Sequence, residues 1–172
     1  LEGIISDITK QMTEIFTEEF AKINTYFSQT FVEMFGGGKA SLELEDPTQP
    51  LTCGIEIRVQ PPGKQLKTIT LLSGGEKAFV AIALYFSILK VRPTPFCMLD
   101  EIDAALDDRN VERFANYLRN LSKKTQFIVI THRRGTMEAS DVLYGVTMQE
   151  QGISKILHLD LNQMEQQIGI IE

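Results

Sequence analysis

Tryptophan is missing from this 172-residue chain, and cysteine and histidine occur only twice each. Cys53 and Cys97 match no metal-ligand spacing, and both lie in apolar, strand-like stretches, so reduced core thiols are expected rather than a zinc module or a disulfide framework. No run approaches the ~18 apolar residues of a membrane span. The N-terminus also lacks the basic start and cleavage site of a secretory signal, so a soluble, cytoplasmic protein without a membrane partner is expected. Positive charge is in deficit as well. With 17 basic against 23 acidic side chains, a net charge of -6, the surface as a whole does not advertise nucleic-acid binding, although a local basic patch is allowed. What is present is 43% apolar content, enough for one sizeable domain or two small lobes sharing a core.

Apolar residues at Ile8, Met12, Phe16, Phe20, Ile23, Phe27, Phe31 and Met34 step by three or four, which predicts a helix over Ile4 to Phe35. At 1.5 Å per residue it would run about 48 Å, longer than a domain of this size needs, so part of it is expected to project. The pattern starts with no N-cap, so Leu1 is expected to lie inside a longer helix or coiled coil, with Leu1-Glu2-Gly3 as possible cloning residue. Gly36-Gly37-Gly38 ends the helix. Alternation over 40–45, with Leu42 and Leu44 inward, and over 53–60, with Ile55, Ile57 and Val59 inward, predicts antiparallel strands joined by Pro/Gly turns. A helix follows Ser73 and breaks at Arg92-Pro93-Thr94-Pro95. Phe96 to Leu99 is expected as a buried strand, residues 109–123 as an amphipathic helix, and Gln126 to His132 as a second fully apolar strand. Strand, helix, strand with short connections is a right-handed parallel crossover, which brings Asp100 and His132 to one sheet edge. Val142 to Met148 and Ser154 to Leu161 are expected as a hairpin around Glu150-Gln151-Gly152.

Three places carry chemistry. Ser73-Gly74-Gly75-Glu76 fits the Ser-x-x-Glu capping box, in which each side chain bonds the other's backbone amide. Its glycines also bring bare amides to the positive end of a helix, where a phosphate can approach. The readings are compatible, because a hydroxyl with one proton and two lone pairs can cap the helix and still donate to phosphate. Asp100-Glu101 ends an apolar strand, where ionised groups need a partner. Mg2+ held by one carboxylate and phosphate oxygens is such a partner, and the neighbouring carboxylate can deprotonate a water. The alternative is a pair of solvated loop acids; Asp107 or Asp108 is the more natural cap of the next helix. His132 could donate to a terminal phosphate, and by itself reads equally as a structural histidine.

"LLSGGEKA" (71–78), "FCMLDEIDAALDD" (96–108) and "ITHRRGTMEASDVLYGVTM" (130–148) resemble, in order and spacing, the motifs of an ABC-type ATPase head. The likeness is nearest to the C-terminal half of the head of a bacterial structural maintenance of chromosomes protein, the condensin ATPase. "FGGGKASLELEDP", "GIEIRVQPPGKQL" and the Phe-rich helix also look like that family, so the resemblance covers almost the whole chain. Glu76 stands where transport proteins of the ABC class usually carry Gln.

The resemblance implies an α/β fold, the C-terminal lobe of a P-loop NTPase head with a parallel core sheet and flanking helices, antiparallel strands and a C-terminal hairpin. Residues 1–35 would be the end of a coiled-coil arm and 36–172 the lobe. It implies ATP and Mg2+ as cofactors, with Ser73, Gly74, Gly75 and Glu76 as the signature on the γ-phosphate. Asp100 would be the Walker B ligand to Mg2+, Glu101 the residue activating water, Ala105-Leu106-Asp107 the D-loop, and His132 the switch histidine. Lys64 acquires no role.

A P-loop is missing. "GGGKAS" has Ala40 after its lysine and Glu33 in place of the first glycine; "PPGKQ" has Gln65 and Arg58 at those positions. The resemblance supplies it from an N-terminal Walker A lobe, so this chain is expected to be half a head, without ATPase activity alone, pairing with a second identical head around ATP. Its implied work is chromosome condensation and segregation at the nucleoid, on double-stranded DNA, with a kleisin winged-helix domain docked near the hairpin. Arg133-Arg134 and Lys123-Lys124 read as solvated charge pairs. Rival readings are a transporter or DNA-repair ATPase head, a nuclease ligating metal through Asp100, Glu101 and Asp103, and a non-catalytic interaction module.

Overall fold

The computed structural model describes residues 2–161. Helix α1, Glu2–Phe35, is uninterrupted for 34 residues. Its two halves differ. Ile4, Ile8, Met12 and Ile15 stand exposed, with no partner among the described residues, whereas Phe27, Phe31, Met34 and Phe35 are buried. Along the exposed half, Thr9, Thr13 and Thr17 donate their hydroxyls to the carbonyls four residues back, each at 2.8 Å. Gly36, at φ 73°, then closes the helix, and the amides of Gly36 and Gly37 both donate to the Val32 carbonyl at 3.0 Å. Gly38, at φ 90°, lies so close to the Gln60 carbonyl that no Cβ would fit.

Strands β1, Lys39–Leu44, β2, Ile55–Gln60, and β3, Lys67–Thr68, form an antiparallel sheet in that order. Ala40 pairs with Val59 and Leu42 with Ile57; Ala40, Leu42 and Val59 are buried, and β1 packs on α1. The free edge of β1 is covered by Asn24 of α1, which accepts from the Leu42 amide at 2.8 Å and donates to its carbonyl at 3.1 Å. Two expectations fail here. Ile55 sits in the outermost pair of the ladder and is half exposed, and Cys53 lies in the preceding turn, its amide on the Gln49 carbonyl, so only Cys97 is a buried thiol.

Helix α2, Gly74–Val91, follows a short 3-10 turn at Ile69–Leu71 and buries Phe79, Val80, Ile82, Ala83 and Phe86. Helix α3, Asp108–Leu121, adds Val111, Phe114, Ala115, Tyr117 and Leu118. The two meet through Phe86, whose ring lies 6.1 Å from Phe114, 5.4 Å from Tyr117 and 6.2 Å from Phe127. Strands β4, Phe96–Asp100, and β5, Gln126–Ile130, pair parallel and in register from Phe96 opposite Gln126 to Asp100 opposite Ile130.

This parallel sheet is buried on one side only. Cys97 and Leu99 point into the core, while Phe96, Met98, Ile128 and Ile130 are 45 to 63% exposed. The expectation of a fully buried strand pair is corrected accordingly: the residue types suit burial on both faces, and the described residues cover only one. The short helix α4, Arg134–Glu138, then leads to an antiparallel hairpin, β6, Val142–Glu150, and β7, Ile153–Asp160, with an irregularity between Met148 and Glu150. The turn falls at Gln151-Gly152 as expected. Tyr144, Val146, Ile156 and Leu157 of the hairpin are exposed. No helix among the described residues is long and apolar enough to cross a membrane.

Candidate functional site

Asp100 is the last residue of β4, and its exposed carboxylate has no partner among the described residues. Glu101 leaves the strand in the left-handed region, φ 49°, alone in this among the described non-glycine residues. Its amide donates to the Ile130 carbonyl at 2.9 Å, which extends the ladder one step, and its carbonyl accepts from Ala104 at 3.1 Å, which closes a turn. A glutamate in this conformation costs on the order of 1–2 kcal/mol. The side chain is thereby turned to the neighbouring strand's exit, where Glu101 Oε1 lies 3.8 Å from His132 Nδ1, both groups mostly exposed.

His132 does not occupy the register position expected for it. Strand β5 stops at Ile130, opposite Asp100, and His132 lies two residues further on in a loop. The chain leaves the sheet because Thr131 is recruited elsewhere: its hydroxyl donates to Asp103 Oδ2 at 2.8 Å and accepts from the Arg133 amide at 2.9 Å. Asp103 is 1% exposed and also accepts from Thr136 Oγ1 at 2.5 Å. It therefore fastens the loop after β4 to the loop after β5 and to α4. Buried and turned inward, it is withdrawn from any shared ligand set with Asp100 and Glu101.

Arg133 adds a second tie. Its Nη2 donates to the Leu106 carbonyl at 3.0 Å and to Asp108 Oδ1 at 2.7 Å, so it is a bracing group rather than solvated charge. Arg134 does face solvent, paired with Glu138 at 2.6 Å. Asp107 is the N-cap of α3, with Oδ1 accepting from the Asn110 amide at 2.8 Å.

The Ser73–Glu76 segment reaches the same surface. Gly75 faces the Ala105 carbonyl at a distance where an added Cβ would sit 3.2 Å away, which brings the start of α2 against the loop carrying Leu106 and Asp107. The capping box is complete: Ser73 accepts from the Glu76 amide and Glu76 accepts from the Ser73 amide. One detail differs from expectation. The Ser73 hydroxyl donates to Glu76 Oε2 at 2.9 Å, so its single proton is already engaged. Glu76 Oε1 meanwhile accepts from Lys64 Nζ at 2.6 Å, a contact the sequence did not disclose. The Lys64 ammonium first, and the Ser73 hydroxyl second, hold the Glu76 carboxyl below its ordinary range.

Among the described residues no three histidine, cysteine or acidic side chains gather to hold a metal. One open carboxylate, Asp100, suits Mg2+, which takes one or two carboxylates and completes its shell with phosphates and water. It does not suit an all-protein cage.

Comparison with known proteins agrees with this architecture. Residues 6–155 match the RecF/RecN/SMC N terminal domain family. The chain is 56% identical over 163 residues, 95% of its length, to the Chromosome partition protein Smc of Bacillus subtilis (strain 168), and it spans only 14% of that relative. Among solved structures, it superposes with a TM-score of 0.81 and 42% identity on a chain from work on ATP-driven dimerization and DNA-stimulated activation of SMC ATPases, covering 92% of this chain and 96% of that one. A Smc head bound to the C-winged helix domain of ScpA matches at a TM-score of 0.82 and 44% identity, over 90% of this chain and 48% of that one. The chain belongs to the RecF/RecN/SMC family and has the fold of the C-terminal lobe of a structural maintenance of chromosomes ATPase head.

Proposed function

We propose that this chain is half of an ATP-hydrolysing head that dimerises around ATP to drive chromosome condensation and segregation. The observation that carries the reading is the junction at the ends of β4 and β5, where Glu101 is held in a left-handed turn 3.8 Å from His132 and beside the open carboxylate of Asp100, in a chain without a P-loop. Phosphoryl transfer depends on positioning and electrostatics more than on covalent chemistry. An incomplete set of positioned groups is thus a device for making assembly the switch.

In this reading residues 1–35 end a coiled-coil arm and 36–172 form the C-terminal lobe. An N-terminal Walker A lobe brings ATP and covers the uncovered face of Phe96, Met98, Ile128 and Ile130. Asp100 would hold Mg2+, whose chemistry is to neutralise charge on the phosphate oxygens. Glu101 accepts the proton of the attacking water, and His132 donates to the terminal phosphate. Ser73, Gly74, Gly75 and Glu76 face the nucleotide of a second, identical head, with Asp107 at the junction. The exposed hairpin is where a kleisin winged-helix domain docks through unpaired backbone and apolar side chains, and the assembled protein acts on double-stranded DNA of the nucleoid, in the cytoplasm.

Hydrolysis assays test this. The 172-residue chain alone is expected to show no turnover, turnover is expected when the Walker A lobe is added, and Glu101→Gln is expected to abolish it. Turnover by the chain alone that Glu101→Gln removes would contradict the half-head reading.

A further inference from the structure

The Ser73–Glu76 segment contains a contradiction that Lys64 resolves. A phosphate approaching the Gly74-Gly75 amides would meet the carboxylate of Glu76 three residues from Ser73, and that carboxylate also holds the Ser73 proton at 2.9 Å. Like charges this close oppose binding. Lys64 sits on the other oxygen of the same carboxylate, Nζ to Oε1 at 2.6 Å, and its placement is built rather than incidental. The turn that carries it is fixed by its amide on the Pro61 carbonyl at 3.0 Å and by Gln60 Nε2 on its own carbonyl at 3.1 Å, with Gly63 at φ 74°. The antiparallel sheet therefore delivers one cation to the start of α2.

Resting on the reading that a nucleotide phosphate comes to this segment, we infer that Lys64 is a positioning residue for it. Lys64 neutralises Glu76 and draws on its charge, so that the segment accepts an anion and the Ser73 hydroxyl can turn its hydrogen bond from Glu76 to a phosphate oxygen. Glu76 keeps the capping box, and Lys64 removes the electrostatic cost of using a carboxylate for it. A glutamine at 76 would cap equally well without the charge, which makes the pair separable by experiment.

The test uses the complete head, this chain with its Walker A lobe, and a nonhydrolysable ATP analogue, with pairing followed by analytical ultracentrifugation. Lys64→Met keeps the aliphatic stem and removes the charge, and it is expected to weaken nucleotide-dependent pairing about three- to fivefold, the upper part of the range for a partly exposed ion pair. The double variant Lys64→Met/Glu76→Gln is expected to return to within about twofold of the original, since no uncompensated carboxylate remains. Unchanged pairing in Lys64→Met overturns the inference. So does a double variant as weak as Lys64→Met, because Lys64 would then act on the phosphate directly. If the original head fails to pair with nucleotide, the reading beneath the inference falls, and with it the phosphate role of Lys64. The ion pair itself is tested apart from that reading by carboxyl NMR of this chain: Lys64→Met is expected to move the Glu76 titration upward, and an unmoved titration overturns the pairing of charges.

Discussion

Replacing Glu101 by glycine should make this protein more stable than replacing it by alanine. At φ 49° a side chain crowds its own backbone, and the conformation is enforced by the Glu101 amide on Ile130 and the Ala104 amide on Glu101. Alanine keeps the crowding. Glycine removes it, at the cost of a more flexible unfolded chain, and the balance favours glycine by about 1 kcal/mol. The rest of the side chain enters little, because its contact with His132 spans 3.8 Å between two groups that are 60 and 63% exposed. For a chain of this size 1 kcal/mol corresponds to roughly 2–4 °C in Tm. Thermal unfolding of the two variants side by side measures it. Equal Tm values, or a lower one for glycine, would refute the claim that backbone strain is held at this residue. Both variants should be equally inactive in the reconstituted head, since each lacks the carboxylate.

Asp103→Ala should destabilise the chain by about 2–3 kcal/mol, because Thr131 and Thr136 lose their acceptor and a buried void remains. Asp103→Asn should cost less than half of that, since it retains one acceptor oxygen, and Oδ1 has no partner to lose; denaturant midpoints decide, and equal losses would mean that the charge is what matters. Glu76 titrates below its ordinary value of 4.5, so its contribution is present in full above that value and is lost as pH falls through the lowered one. The stability difference between the original chain and Glu76→Gln, on the order of 0.5–1 kcal/mol at neutral pH, should therefore shrink as the pH is brought below the ordinary carboxyl value and vanish once it has passed the lowered one, as followed by denaturation at a series of pH values.

The elements were legible because their periods are strong. Phe27, Phe31, Ser73, Pro93 and the Gly36-Gly37-Gly38 cluster each state a boundary or a face in local terms. What was not legible came from tertiary contacts between distant residues. Lys64 has no role in the sequence until the fold carries it to Glu76, and Arg133 reads as surface until it meets Leu106 and Asp108. Asp103 looked like one more acid of a cluster, yet its burial against two threonines decides otherwise. Strand β5 is two residues shorter than "QFIVITH" suggests, because Ile128 to Thr131 are all β-branched, while the partner strand β4 ends at Asp100 opposite Ile130 and the Thr131 hydroxyl turns to Asp103. Residues such as Met98 and Ile130 gave a correct reading of composition and an incorrect one of exposure, since a parallel strand written for two covered faces has one uncovered here.

Nucleotide-dependent pairing tests the central claim most directly. This chain, combined with its Walker A lobe and a nonhydrolysable ATP analogue, is expected to form a head dimer by size exclusion and cross-linking, and Ser73→Arg is expected to block it by filling the phosphate approach at the start of α2. Pairing that is indifferent to nucleotide, or that survives Ser73→Arg unchanged, would contradict the account.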